Sequence, residues 1–160
     1  MTKAFNIIVF LLSLSFQSYG QVKDIQAVRV LRLNHIGKDY KYNNTDKTVT
    51  HLKYLGIVHT NNSTTYKILT SVWLWGVSHR ATSRILIYSD RNQYVGNYPL
   101  TTVNDLPSYI ENNMLVFTNK PGDCDINKVT RIDFSNGLPK DFFRKCKGES
   151  GDVYTFEKID

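Results

Sequence analysis

The stretch WLWGVSHRATSR carries the residue types best suited to recognising a partner. It places both tryptophans of the chain directly before a loop with one histidine and two arginines. Aromatic anchors with arginine at their rim are typical of the recognition surfaces of proteins, and tyrosines on the next hairpin extend the same region. The candidate binding residues are therefore Trp73, Trp75, His79, Arg80, Arg84 and Tyr88.

The strand before this loop allows two interpretations. Alternate residues from Thr65 to Trp75 are apolar on both sides, so the strand is either central with both faces covered, or one of its faces lines a groove. Core packing is the favoured explanation of the tryptophans, which would then fill the end of the core, and a binding surface is the alternative. Gly76 permits a sharp turn, which would place the loop over residues 77–83 beside the two indole rings.

The motifs of nucleophilic catalysis are missing from the sequence. It contains no Gly-x-Ser-x-Gly elbow and no glycine-rich phosphate loop. Ser78 and His79 are neighbours, and neighbouring side chains of an extended chain point apart. The sequence therefore predicts no catalytic residue, and it favours binding over turnover. An exported hydrolase without a recognisable motif is the alternative.

Metal ligands are equally poorly arranged. The run from Asp123 to Asn127 is similar to the opening of a calcium loop, but Lys128 replaces the required glycine and Phe134 replaces the closing carboxylate. His51 and His59 would be ~26 Å apart along one strand, which is too far to share an ion. We therefore predict neither a metal site nor a cofactor.

Residues 1–20 have the pattern of an export signal. Lys3 supplies the positive start, an apolar run extends from Ile7 to Phe16, and Ser18 and Gly20 are small residues at a cleavage site. An apolar run of about ten residues is shorter than the roughly 20 needed to span a bilayer. The sequence predicts a secreted or periplasmic protein that starts at Gln21 and does not span the membrane.

Cys124 and Cys146 are the only cysteines. In an oxidising compartment such a pair is expected to form a disulfide rather than a metal or redox site. The bond would close a loop of 22 residues (146 − 124), which should contribute about 3 kcal/mol. Two buried free thiols are the alternative.

The positive charge is concentrated in the first part of the chain. Of the net charge of +6, Lys3 carries +1, residues 21–91 carry +7 (eleven basic against four acidic residues) and residues 92–160 carry −2 (eight against ten). This asymmetry suggests a basic face towards an anionic glycan, a membrane surface or an acidic protein. Ordinary solvation of strand faces by lysine also explains the asymmetry and is the favoured interpretation. A nucleic acid partner is not predicted, because the basic residues form no clustered run.

Short β-like runs separated by turn residues dominate the remaining sequence. This spacing predicts a mainly β protein, a small antiparallel β-sandwich or barrel-like sheet. Asp105 and Pro107 fit the start of one short helix over about residues 105–112, and a second Leu-Pro pair at Leu138 suggests a helical turn. The predicted strands are 49–58, 65–75, 84–89, 94–100, 114–118, 128–134 and 153–159.

Residues 21–48, which precede these strands, are predicted to be organised differently. Residues 21–48 are predicted to form an N-terminal strand and a polar connector, and residues 49–160 a single β-rich domain. The segment from Ile25 to Leu33 suits either a strand or a helix, and its β-branched content favours a strand. The segment from Gly37 to Thr48 is rich in turn formers and predicts a loop or a disordered connector.

These observations together predict an exported binding protein. Its partner would be an envelope or extracellular protein or a glycan. A periplasmic inhibitor or immunity-type protein is a second possibility of the same kind, because it would also bind without turnover.

Overall fold

The computed structural model describes residues 25–122 and 124–158. The predicted leader at residues 1–20 lies outside them. One α-helix occupies residues 25–33 (α1), and the rest of the described chain consists mainly of antiparallel strands. Within these residues, no helix has both the length and the apolar character needed to cross a membrane.

In the described parts of the chain, eleven strands form three sheets. The largest has the order β1-β2-β3-β4-β5-β11, the second pairs β9 with β10, and the third has the order β6-β7-β8. A 3₁₀ turn at Val103–Asp105 separates β5 from β6. The strands are β1 (Asp39–Asn43), β2 (Val49–His59), β3 (Thr65–Trp75), β4 (Arg80–Ser89), β5 (Tyr94–Leu100), β6 (Tyr109–Glu111), β7 (Met114–Thr118), β8 (Val129–Asp133), β9 (Asp141–Lys147), β10 (Ser150–Thr155) and β11 (Glu157–Lys158).

Asparagine allows several of the tight turns between these strands. Asn112 and Asn113, with φ of 48° and 63°, connect β6 to β7. Asn92, with φ of 62°, lies in the turn between β4 and β5. Positive φ at central turn residues matches the twist of the flanking strands, and asparagine adopts it at low cost. Local sequence therefore sets the antiparallel pairing in these hairpins.

The six-stranded sheet is the middle layer of the molecule. In β3, Ile68 faces a core shared with the two smaller sheets, whereas Leu69 faces a second core beneath α1. Both residues are 0% exposed. The centre of β3 is therefore covered on both faces, which explains why its sequence is apolar on both sides.

The core beneath the smaller sheets contains a cluster of aromatic rings. Tyr98 packs edge-on against Phe142 with ring centroids 5.1 Å apart, and its hydroxyl donates to the Pro139 carbonyl at 2.6 Å. Burial, reinforced by the Asp141 carboxylate, raises the pKa of Tyr98 well above its ordinary value of 10.0. Burial likewise raises the pKa of Tyr154 to about 12. The fold thus holds both phenols in their neutral form.

We expect the protein to lose stability in alkaline solution through these phenols. Their contribution is complete below pH 10, the ordinary pKa, and is lost as pH rises through their higher folded values. Each phenol adds a slope of up to about 1.4 kcal/mol per pH unit above pH 10. In urea unfolding between pH 9 and 12, Tyr98→Phe should reduce this slope and cost about 1 kcal/mol at pH 7 through its lost hydrogen bond.

The control for this experiment is Tyr109→Phe, at a position whose side chain is 43% exposed. An unchanged slope in Tyr98→Phe, or an equal change in both variants, would contradict the assignment.

A buried ion pair ties together several segments of the smaller sheets. Arg144 in β9 is 1% exposed and donates through Nη1 to Asp105 Oδ1 at 2.8 Å. Its Nη2 donates to Asn119 Oδ1 at 2.7 Å. Asn119 Nδ2 in turn donates to the Cys146 carbonyl at 3.3 Å, and Cys146 is bonded to Cys124 as predicted. The guanidinium therefore links the 3₁₀ turn, the segment after β7 and the disulfide.

The prediction of a mainly β, antiparallel fold is confirmed. The predicted strand from Ile25 to Leu33 is wrong, because this segment is the helix α1. It buries Ala27, Val30 and Leu31 against the sheet, and this i, i+3, i+4 spacing is that of a helix face.

The polar connector was also predicted incorrectly, because it contains β1. Tyr40 and Tyr42 pack towards the core beneath α1, while Asp39, Lys41 and Asn43 between them are exposed. This alternation is that of a strand with one buried face. The tyrosine rings form the apolar side of this strand. That side was not recognised in the sequence because the segment has almost no aliphatic residues.

The prediction of a short helix at residues 105–112 is also wrong. The 3₁₀ turn ends at Asp105, and β6 begins at Tyr109. Asp105 is not the residue before a helix but the last residue of the turn, and its carboxylate accepts from the Thr102 backbone N–H at 2.8 Å. The local signal was therefore a capping box around a single turn.

Candidate functional site

The predicted recognition residues lie at one end of the β3–β4 hairpin. Trp75 and Arg80 are directly opposite each other, and the loop over residues 76–79 connects them. Gly76 and His79 have φ of 70° and 49°, so two residues in the left-handed region produce the reversal. The tryptophans are therefore carried on a paired strand, and only the loop residues extend beyond it.

Trp73 and Trp75 are stacked on one face of the sheet. Their ring centroids are 5.9 Å apart with planes inclined at 26°. The Arg80 guanidinium carbon lies 5.6 Å from the centroid of the Trp75 ring, a cation–π arrangement. Trp75 Nε1 donates to Thr82 Oγ1 at 3.2 Å. These contacts orient both the ring and the arginine before any partner arrives.

The surface is partly open to solvent. Both tryptophans and Arg84 are half-buried, whereas His79 and Arg80 are exposed. Arg84 lies opposite Ser71 on the same face. Within the described chain, neither of the two buried cores contains a tryptophan.

Tyr88 does not join this surface. It is 2% exposed in the core beneath α1 and packs against Tyr94 at 5.3 Å. The structure thus brings together the other five candidate residues. We call Trp73, Trp75, His79, Arg80 and Arg84 the tryptophan surface.

Amide and hydroxyl groups lie beside this surface. Thr50 is opposite Trp73, and its hydroxyl accepts from Asn44 Nδ2 at 3.0 Å. Asn44 Oδ1 also accepts from Gln26 of α1 at 3.1 Å. The helix therefore approaches the tryptophan surface with its first described turn.

A groove of about 550 Å³ opens on the other face of the same sheet. Val72 and Leu74, which alternate with the tryptophans, form part of its floor. The facing wall comes from the segment between the 3₁₀ turn and β6, together with Lys120. This groove could not be predicted from the sequence, because its two walls are far apart in the chain and meet only in the fold.

His51 and Asp39 form the closest polar pair in this groove. His51 Nδ1 is 2.8 Å from Asp39 Oδ2, on the neighbouring strand. Such a pair orients an imidazole, as in many acid–base sites. In the part of the chain that the structure describes, no serine, threonine or cysteine side chain hydrogen-bonds to His51, so a nucleophile is not aligned with it.

Metal ligands are not assembled in the described residues. No three His, Cys, Asp or Glu side chains within them come close enough together to hold an ion.

Comparisons of the chain with protein-family models, with curated proteins and with solved structures find no match.

Proposed function

We propose that the protein is exported and acts by binding an envelope or extracellular protein or a glycan with acidic groups, using the tryptophan surface. The observation that carries the proposal is the half-buried pair Trp73 and Trp75 with Arg80 held over one ring. Tryptophan and arginine are the residues most enriched where binding energy is concentrated.

Rigidity supports this proposal. Both rings are on β3, which pairs with strands on both sides, and Trp75 is further fixed by its bond to Thr82. A partner would therefore not have to order these side chains, which normally costs about 0.5–1.5 kcal/mol each on binding.

Charge supports an acidic partner. Arg80 and Arg84 belong to the chain segment with a net charge of +7, and charge complementarity accelerates encounter and orients the partner. Export is supported by the disulfide, which is compatible with an extracellular or periplasmic protein.

The test replaces both arginines. Arg80→Ala with Arg84→Ala should weaken binding at least about tenfold, while the melting temperature changes little because surface substitutions usually alter stability by less than about 0.5 kcal/mol. The protein has only two tryptophans, so their fluorescence reports this surface alone. Partners captured at low salt from periplasm or culture medium, and an acidic polysaccharide, would be titrated separately.

Arg32→Ala with Arg91→Ala is the matched control, because both arginines are exposed and their removal changes the net charge equally. Equal losses of binding affinity in the two double variants would show that the effect comes from net charge alone. A marked fall in melting temperature in the Arg80 and Arg84 variant would give these residues a structural role and contradict the proposal.

A further inference from the structure

The groove on the face opposite the tryptophan surface changes from charged to apolar along its length. Lys53 lies opposite Asp39 on β1, and His51 follows on the same face of β2. Val72 is opposite His51, and Leu74 is the next residue on that face of β3. The apolar end continues onto the facing wall, before β6.

Among the described residues that line the groove, the charges are not balanced. The Asp39 carboxylate is already engaged by His51 at 2.8 Å. For Lys53 and Lys120, no described residue places a carboxylate within 4.0 Å of the ammonium group. Lys53 is also half-buried, so part of its hydration is lost without a counter-charge to replace it. A bound anionic group would therefore supply the counter-charge that Lys53 and Lys120 lack among the described residues.

We propose that the groove binds a small amphipathic carboxylate. Its carboxylate would contact Lys53, with Lys120 on the facing wall, and its hydrocarbon part would lie along Val72 and Leu74. A volume of about 550 Å³ is in the range of roughly 300–1,000 Å³ found for small-molecule sites, which combine apolar walls with a few placed polar groups.

Chain length provides the first test. Butanoate, hexanoate and octanoate would be titrated into the protein and followed by ¹⁵N NMR shifts. Each added methylene that enters the groove should raise affinity about three- to fourfold, with shifts on β1 to β3 and on residues 103–108. An affinity independent of chain length would mean that lysines attract any anion, and it would overturn the proposal.

The head group provides the second test. Lys53→Met should weaken octanoate binding about tenfold, because it removes a charged hydrogen-bond donor, and should leave octanol binding unchanged. Lys140→Met is the matched control, since Lys140 is exposed and does not line the groove. Equal losses in the two variants would show a general charge effect and overturn the proposal. Circular dichroism of each variant would confirm that the fold is intact.

The apolar floor provides the third test. Leu74→Ala should reduce the gain from hexanoate to octanoate, whereas Lys53→Met should reduce all three affinities alike. The proposal does not depend on the tryptophan surface, which is on the other face of the sheet. Octanoate binding should accordingly persist in the Arg80→Ala, Arg84→Ala variant, and its loss there would contradict a separate site.

Discussion

Arg144→Met should lower the free energy of unfolding by about 3–5 kcal/mol. Methionine can fill much of the same space, but it leaves the Asp105 carboxylate buried and unpaired, since Asp105 is only 6% exposed. Asn119 would lose its donor as well. Urea unfolding at pH 7 would measure the loss, and the melting temperature should fall by about 10–18 °C.

Arg131→Met is the matched control for this prediction. Arg131 is also on a strand of the smaller sheets and is 3.7 Å from Glu111, but both side chains are about half exposed. An exposed pair of this kind contributes at most about 1 kcal/mol.

A double-mutant cycle separates the ion pair from simple packing. Arg144→Met with Asp105→Asn should cost less than the sum of the two single changes, because no uncompensated charge stays buried. A loss below about 1 kcal/mol in Arg144→Met, or full additivity, would show that the pair does not hold the segments together.

Replacing Cys124 and Cys146 by alanine should cost about 3 kcal/mol, because the unfolded chain gains the freedom of a loop of 22 residues. Urea unfolding of the double variant would measure the loss. Reduced wild-type protein should unfold at nearly the same urea concentration as the double variant. In the native protein, alkylation followed by mass measurement should label two thiols only after reduction, and labelling without reductant would contradict the bond.

The effects of these two changes should not be additive. Asn119 donates to the Cys146 carbonyl and accepts from Arg144, so the disulfide and the ion pair share a partner. Residues in one hydrogen-bond network normally show such coupling.

Several strands could be predicted because their signals are local. Thr65 to Trp75 was predicted as a strand with the bounds of β3, and the bounds of β5 and β7 also match. Alternation and turn residues suffice there, since each hairpin is formed by neighbouring segments. The sequence allowed β3 either to be covered on both faces or to line a groove. Both interpretations apply to part of the strand, because its centre is covered and its end is open on both faces.

Other elements depend on distant partners and could not be predicted in this way. Residues 141–147 follow a Leu-Pro pair that suggested a helical turn, yet they form β9 because Phe142 packs against Tyr98, Phe117 and Tyr154. Tertiary packing outweighs a weak local signal in such cases.

The candidate site shows the same difference between local signals and contacts of distant residues. The tryptophan surface lies within one hairpin, so its members could be named from the sequence, except that Tyr88 is covered by α1. The groove and the Arg144 ion pair join residues far apart in the chain. Nothing in the local sequence around Asp39 or Arg144 indicates a partner.

The two ends of the six-stranded sheet have a consequence for self-association. A long, flat and apolar outer strand would offer its free N–H and C=O groups to another copy of the chain and so promote fibre growth. Here, within the described residues, one outermost strand, β11, has two residues, and the other, β1, exposes Asp39 and Lys41. We therefore expect concentrated solutions to resist the stacking of sheets edge to edge.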